Sequence, residues 1–367
     1  MASGILYHPV KIGSLELPGN LFLAPVAGYT DRAYRSICAE AGADFSFTEL
    51  VSAEALTRNP KHYGLNSDDT DSDKKSHSRS VEKTPGAVLV KRGQNEKYYS
   101  IQLFGTNPEV LGKACSLLKP FGPNAVDLNA GCPVPKVTKT GAGSALMKDP
   151  SLLGKIIETM VRSSEEHLGA IPVTVKIRSG WDNASRNYLE CARIAVESGA
   201  AMVSLHPRTR SQGYSGKSDW SLITDLVSRI PVPVTGSGDL YSPEDARTML
   251  AETGCAAVMF ARGAMGNPFI FAAAKSLLLT GLTTPPEAAA ARITAAERLK
   301  AALRHLEMLS EDLGEKRACL EMRKQFCSYT KGAMGFPGIS GGAVLREKIV
   351  HAETIAEYRE ILSYYMK

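Results

Sequence analysis

Apolar and polar positions alternate in blocks along the first three quarters of the chain. Short apolar runs, rich in β-branched and aromatic residues, stand at Leu21–Ala24, Asp44–Thr48, Tyr99–Leu103, Ala125–Leu128, Val173–Ile177, Met202–Leu205, Val232–Thr235 and Ala256–Phe260. Runs of this length with little polar alternation predict parallel strands buried on both faces. Helical patterns fall between them, at Asp31–Glu40, Pro150–Ser163, Asn187–Ser198 and Pro243–Ala251. The last opens on Ser242, Pro243, Glu244 and Asp245, a strong start signal because Ser caps the first free N–H groups and Pro suits the first turn. Eight strands alternating with helices predict a (β/α)8 TIM barrel. A doubly wound sheet shares the periodicity and stays open as the alternative.

Beyond the eighth strand the pattern changes. A Thr/Pro/Ala-rich stretch from Leu282 to Ala290 is followed by amphipathic segments at Ile293–Asp312, Gly314–Tyr329 and Ala343–Met366. The expected division is a catalytic barrel over 1–284 and a separate helical domain over 285–367. One barrel connection is abnormal. From about Asn59 to Glu96 the chain is polar and low in complexity, which predicts a solvated, partly disordered insertion after the second strand. A lid or substrate contact is the sharper reading of the same segment.

Composition narrows the class. The 367 residues suit a barrel with an appendage, and 44% hydrophobic content can fill its core. No apolar run approaches the roughly 18 residues a membrane span needs. The first residues carry no basic-then-apolar leader pattern, so a cytoplasmic protein is expected. The seven cysteines are scattered without metal-ligand spacing, which predicts a reduced compartment and no metal site. A net charge of +5 permits an RNA partner without demanding one. A monomer is expected.

Polar residues at C-terminal strand ends are the functional candidates of a barrel. Strand one ends in small residues, Ala24, Pro25, Val26, Ala27 and Gly28, which let a flat ring approach the backbone. Strand three supplies Gln102, whose amide both donates and accepts. Strand four delivers Asn129 and Cys132. Lys176 and Arg178 follow on strand five, and His206, Arg208 and Arg210 on strand six. The last two strands end in Ser237-Gly238-Asp239 and in Ala261-Arg262, turns of the kind that hold phosphate on free N–H groups. One amide, one cation and two phosphate turns, each on its own strand end, fit flavin mononucleotide (FMN). No GxGxxG follows the first strand, so a Rossmann-type cofactor site is not indicated.

The segment Asn129-Ala-Gly131-Cys132-Pro133-Val-Pro-Lys-Val137-Thr-Lys-Thr-Gly-Ala-Gly143-Ser144 resembles the signature of the tRNA-dihydrouridine synthase family, and more closely its bacterial B-type branch. The stretches Ala24–Arg32, Gln102–Pro108, Val175–Trp181 and His206–Arg210 are similar to further motifs of that family, so the resemblance spans almost the whole chain. It implies a flavin barrel followed by a helical tRNA-binding domain. It also implies reduction of the C5=C6 bond of specific uridines in tRNA, with NADPH as reductant and Cys132 as the general acid at C5. By the family pattern Pro25, Val26, Ala27, Gln102, Lys176, His206, Ser237, Gly238, Asp239, Ala261 and Arg262 contact FMN. Asn129 would orient the uracil, and Lys136, Lys139, Arg178, Arg208, Arg323 and Lys324 would meet the RNA.

The chain departs from the pattern in places. Ser237 stands where the family has Asn, Ala261 where it has Gly, and Gln325 and Ser328 where relatives tend to have His and Trp. The 59–96 insertion is also longer than the family norm. A flavin barrel acting on a free pyrimidine, in the manner of dihydroorotate dehydrogenase, accounts for the cofactor set but gives the helical part no role. A non-enzymatic RNA-binding protein predicts no flavin.

Overall fold

The computed structural model describes residues 4–65, 84–280, 293–331 and 338–366. Its strands are β1 (Val10–Ile12), β2 (Leu15–Leu17), β3 (Leu21–Leu23), β4 (Phe45–Phe47), β5 (Val51–Ser52), β6 (Tyr99–Phe104), β7 (Ala125–Ala130), β8 (Val173–Arg178), β9 (Val203–His206), β10 (Val234–Ser237) and β11 (Ala257–Phe260). The parallel run β4-β3-β11-β10-β9-β8-β7-β6 is closed by a pairing of β4 with β6. This is the eight-stranded TIM barrel, and each of its strands falls on one of the eight predicted apolar runs. The tiny β5 adds to the C-terminal end of β6.

Two apolar clusters hold the barrel. The larger lies between the strands and the surrounding helices and continues into the C-terminal helices, where it includes Leu299, Leu306, Phe326 and Tyr329. The smaller fills the barrel's interior with Phe22, Phe45, Phe47, Met202 and Met259. The Phe22–Phe45 and Phe45–Phe47 rings meet edge to face, with centroids 5.4 and 4.9 Å apart. The β1–β2 hairpin, which the sequence pattern does not flag, adds Val10, Ile12 and Leu17 to this cluster beside the first residues of the strands. One end of the barrel is therefore stoppered with hydrocarbon, and the chemistry is left to the other.

Register decides which polar groups meet at that other end. β7 runs past its predicted end to Ala130 and β8 to Arg178. This sets Gln102 beside Asp127, Asn129 beside Lys176, and Arg178 beside His206 on neighbouring strands.

Helix starts follow their caps. Asp31, Asn107 and Asp149 each accept the N–H three residues on, opening helices Arg32–Glu40, Pro108–Ser116 and Pro150–His167. Ser242 and Asp245 form a reciprocal box at the head of Pro243–Thr253, as do Thr294 and Glu297 at the head of Ala295–Leu313.

Two expectations change. The last predicted helix is two helices, Gly342–His351 and Ile355–Ser363. Thr354 caps the N–H of Glu357, and the Glu357 carboxylate takes the N–H of Glu353 at 2.7 Å. A new helix start thus interrupts a continuous amphipathic pattern. The 59–96 insertion is not a solvated loop at its described ends. Pro85–Val90 is helical with Ala87 and Val90 buried. Glu96 is buried because its carboxylate receives Arg35 Nε at 2.9 Å and the N–H of Gly93 at 2.6 Å. The polar, Ser-rich centre of the insertion (66–83) and the Leu282–Ala290 stretch, which holds the expected domain boundary, lie outside the described residues.

Among the described residues no helix is long and apolar enough to cross a membrane, and no cluster of His, Cys, Asp and Glu could hold a metal ion.

Candidate active site

A cavity of about 390 Å³ opens where the strands end. Its wall is built from most of the strand-end candidates: Ala24 to Ala27 from β3, Asn129 and Cys132 from β7, Lys176 and Arg178 from β8, His206 from β9, Ser237 to Asp239 from β10, and Ala261-Arg262 from β11.

The cysteine loop is fixed from below. Asn129 Oδ1 accepts the N–H of Cys132 at 2.9 Å and that of Gly131 at 3.3 Å. Its Nδ2 donates to Gln102 Oε1 at 2.9 Å, and Gln102 Nε2 donates to Asp127 Oδ2 at 2.7 Å. Thr174 donates to the other Asp127 oxygen. Buried polar groups need partners, and this chain satisfies each member while pinning the loop. Gln102 is fully buried and absent from the cavity wall. It stands one layer beneath its expected place, and its side chain is used to hold Asn129. Ser144 clamps the loop from the far side, donating Oγ to the Cys132 carbonyl at 2.9 Å.

Burial shapes the protonation of the group. It pushes the Cys132 thiol up, against smaller opposing effects of the Val134 N–H, Arg178 and Lys176, so the thiol carries its proton at neutral pH. Lys176 is lowered to about 8 by burial and by Arg178, with Asp127 and Cys132 opposing. His206 is held well below its ordinary range by burial and by Lys176, Arg178, Arg208 and Arg262. Its Nε2 lies 3.4 Å from an Arg208 nitrogen, which can only donate, so the neutral ring keeps its proton on Nδ1.

At the end of β10 the backbone turns left-handed through Gly238 (φ 105°) and Asp239 (φ 58°). A Cβ at Gly238 would come within 2.3 Å of Ser218 Oγ and 2.7 Å of His206 Cδ2, so a side chain there would crush the cradle. Asp239 receives Arg208 at 2.7 Å, Arg262 at 3.0 Å and the N–H of Ser218 at 2.8 Å. Burial pulls its carboxyl up, but these donors win and hold it low. Arg208 is thus a buried brace of this turn. Arg178 braces too: it donates to the carbonyls of Gly131, Thr209 and Gly213 at 2.8–2.9 Å.

A family model, Dihydrouridine synthase (Dus), matches residues 22–364. The chain belongs to the dihydrouridine synthase family. A probable tRNA-dihydrouridine synthase of Treponema pallidum is 44% identical, over 99% of this chain and 97% of its own length. The tRNA-dihydrouridine synthase B of Shewanella oneidensis is 33% identical over 97% of this chain and 98% of its own length. Among solved structures, a 2-naphthoyl-CoA reductase complex has a TM-score of 0.53 at 13% identity, covering 74% of this chain and 52% of that one. Histamine dehydrogenase from Rhizobium sp. 4-9 has a TM-score of 0.51 at 14% identity, covering 83% and 51%. At such identities these two likenesses show the barrel fold alone.

The remaining family-pattern residues lie outside the cavity wall of this dihydrouridine synthase family member. Lys136 and Lys139 are exposed beside the cysteine loop. Arg323 donates to the Ala352 carbonyl within the C-terminal helices. Lys324 reaches the mouth, its Nζ 4.2 Å from the centre of the Tyr29 ring. Three tyrosines at the cavity were not singled out by sequence: Tyr29, Tyr214 and Tyr241. Tyr214 is 59% exposed and lies 5.0 Å from the Arg262 guanidinium. Only Tyr29 sat inside a quoted motif; Tyr214 lies on a loop whose residue types carry no signal of their own.

Proposed function

We propose that this protein reduces the C5=C6 bond of uridines in tRNA to 5,6-dihydrouridine, with FMN as cofactor and NADPH as reductant. The observation that carries the reading is the half-buried Cys132 thiol at a cavity whose other walls are a small-residue face, a row of cations and a left-handed turn. The donor set fits FMN. Pro25, Val26 and Ala27 offer a flat apolar wall, Lys176 a cation for the ring's carbonyl edge, and His206, the Ser237–Asp239 turn and Ala261-Arg262 a cup for the phosphate. Bound there, the flavin would supply at C6 the hydride that NADPH delivers to it.

The chain's own residues supply the rest. Cys132 holds the proton that C5 needs, and a thiol kept protonated by burial is a competent donor to an enolate-like carbon. The thiolate left behind is refilled from solvent. Asn129, oriented through Gln102 and Asp127, fixes the loop so that the thiol is presented in one place. The uridine has to leave its stack to enter a cavity at the end of a barrel. Lys136, Lys139 and Lys324, arranged outside and at the mouth, are suited to the RNA backbone. The helical region over 285–367 is read as the tRNA-binding part.

The test separates the half-reactions. Purified protein is expected to be yellow and to bleach on adding NADPH. Cys132→Ala should keep FMN and its NADPH-driven reduction but lose roughly 10²–10⁴ in dihydrouridine formation. Equal loss of both half-reactions would remove Cys132 from the acid role, and a colourless protein that takes up no FMN would overturn the flavin reading.

A further inference from the structure

The cavity wall between Pro25 and Thr30 is held by groups that do not belong to its own strand. Gly28 has a left-handed backbone (φ 72°), and both of its polar groups are taken. Its N–H donates to Glu49 Oε2 at 2.6 Å. Its carbonyl accepts Gln325 Nε2 at 3.0 Å. The same amide nitrogen lies 3.3 Å from the Tyr29 carbonyl and 3.2 Å from Asp31 Oδ2, so two hydrogens are shared among three acceptors. Gln325 sits on helix Glu315–Thr330, almost three hundred positions away in the chain, and is 4% exposed. Its neighbour Lys324 fills the space that a side chain at Gly28 would need, with Nζ 2.1 Å from where that Cβ would be.

We propose that Gln325 is a positioning residue for the cofactor cavity. Its amide grips two successive carbonyls of the segment that carries Pro25, Val26, Ala27 and Tyr29 to the cavity, and it seats Lys324 over the Tyr29 ring at the mouth. The C-terminal helices thereby set the shape of the wall on which the flavin is expected to lie. A wall with two freed carbonyls has more conformations to lose on binding, so removal of the amide weakens retention of the flat ligand. The proposal rests on the flavin reading above.

The experiment titrates FMN into the flavin-free full-length chain and follows quenching of flavin fluorescence. Three variants are compared, and the melting temperature of each free protein is recorded. Gln325→Leu keeps the volume without the donors and should weaken FMN binding about five- to tenfold. Gln325→His retains an N–H of similar reach and should recover most of that loss. Arg32→Gln breaks the Arg32–Asp312 ion pair (2.7 Å) between barrel and helices without touching the Gly28 segment, and should leave FMN affinity within about twofold. Equal affinity of Gln325→Leu and wild type, or equal weakening by Arg32→Gln, would overturn the proposal. A second measurement needs no variant. Because linkage is reciprocal, FMN should slow amide exchange in the Glu315–Thr330 helix of the wild-type protein. No added protection there counts against the proposal. A wild type that binds no FMN brings down the flavin reading itself, which is a different result.

Discussion

Two charged regions of this molecule, the cavity and the helix Arg32–Glu40, follow opposite rules. Around the helix, each of four charges meets a partner. Asp31 receives His305 at 3.1 Å, Arg32 meets Asp312 at 2.7 Å, Arg35 meets the buried Glu96 at 2.9 Å, and Glu40 pairs with Arg304. Three of these partners come from helix Ala295–Leu313, so the pairs tie the helical region to the barrel. In the cavity, Lys176, Arg178 and Arg262 face one described carboxylate, Asp239, and it already serves Arg208 as well as Arg262. Paired charges are what a fold keeps for register. An excess of cations over carboxylates, with Arg262 and Arg208 sharing Asp239 and neither Lys176 nor Arg178 in an ion pair among the described residues, is what a site keeps for an anionic ligand.

The sharpest way to break the comparison is to make the paired region behave like the cavity. Glu96→Leu strands Arg35 without its carboxylate in a fully buried position. An uncompensated buried charge costs about 3 to 4 kcal/mol, readable by urea denaturation. A loss below about 1 kcal/mol would mean that the carbonyls of Thr30 and Lys91, which Arg35 also reaches, are sufficient by themselves.

The converse change relaxes the cavity. Lys176→Met removes a cation that burial and Arg178 hold down at about 8. The unfolded chain keeps that lysine's proton to about pH 10.4. Between the two values the unfolded state binds more protons, so the stability of the flavin-free protein should rise with pH across that window. Below it the charged, half-buried ammonium is a cost. Lys176→Met is expected to raise stability at pH 7 by on the order of 2 kcal/mol and to flatten the rise between pH 8 and 10, while weakening FMN binding. A destabilised variant would show that the ammonium has a structural partner after all.

The contrast also marks what the sequence could tell. The eight strands were legible because each buried parallel strand must be a short apolar run, and the strand-end cations and the cysteine loop followed once the barrel was assumed. Gln102 lies behind Asn129 and off the cavity wall. Residue type says that an amide can meet a ring, but register alone says that Asp127 and Asn129 reach it first. Glu96 looked like the end of a solvated insertion because its partner, Arg35, lies 61 positions away. The break at Thr354 was hidden inside an unbroken amphipathic period, although the Thr354-Ile-Ala-Glu357 cap was there to be read. Gln325 stands out in the sequence only as a departure from the family pattern, because nothing local announces the Gly28 carbonyl. Glu96 and Gln325 were hidden for one reason, that partners distant in sequence decide them, whereas the Thr354 break rests on neighbours three and four positions apart.

The smallest expected effect concerns cations outside both regions. Lys136 and Lys139 are exposed and flank the cysteine loop without lining the cavity. If they meet the RNA backbone, they do so at solvent-exposed phosphates, and each phosphate neutralised releases counterions on binding. Lys136→Gln with Lys139→Gln should then weaken tRNA binding a few-fold at moderate salt. It should also reduce the slope of log affinity against log salt by about 0.7 to 0.9 for each phosphate no longer neutralised. FMN affinity and flavin reduction should stay as in the wild type, because neither ammonium reaches the cofactor wall. The slope is the informative quantity. A change in affinity with the slope preserved would mean that the substitutions disturbed the Cys132 loop, which these lysines flank, and an unchanged slope with unchanged affinity would leave both as solvated charge. A reduced slope with intact flavin chemistry would place the RNA across the rim of the barrel.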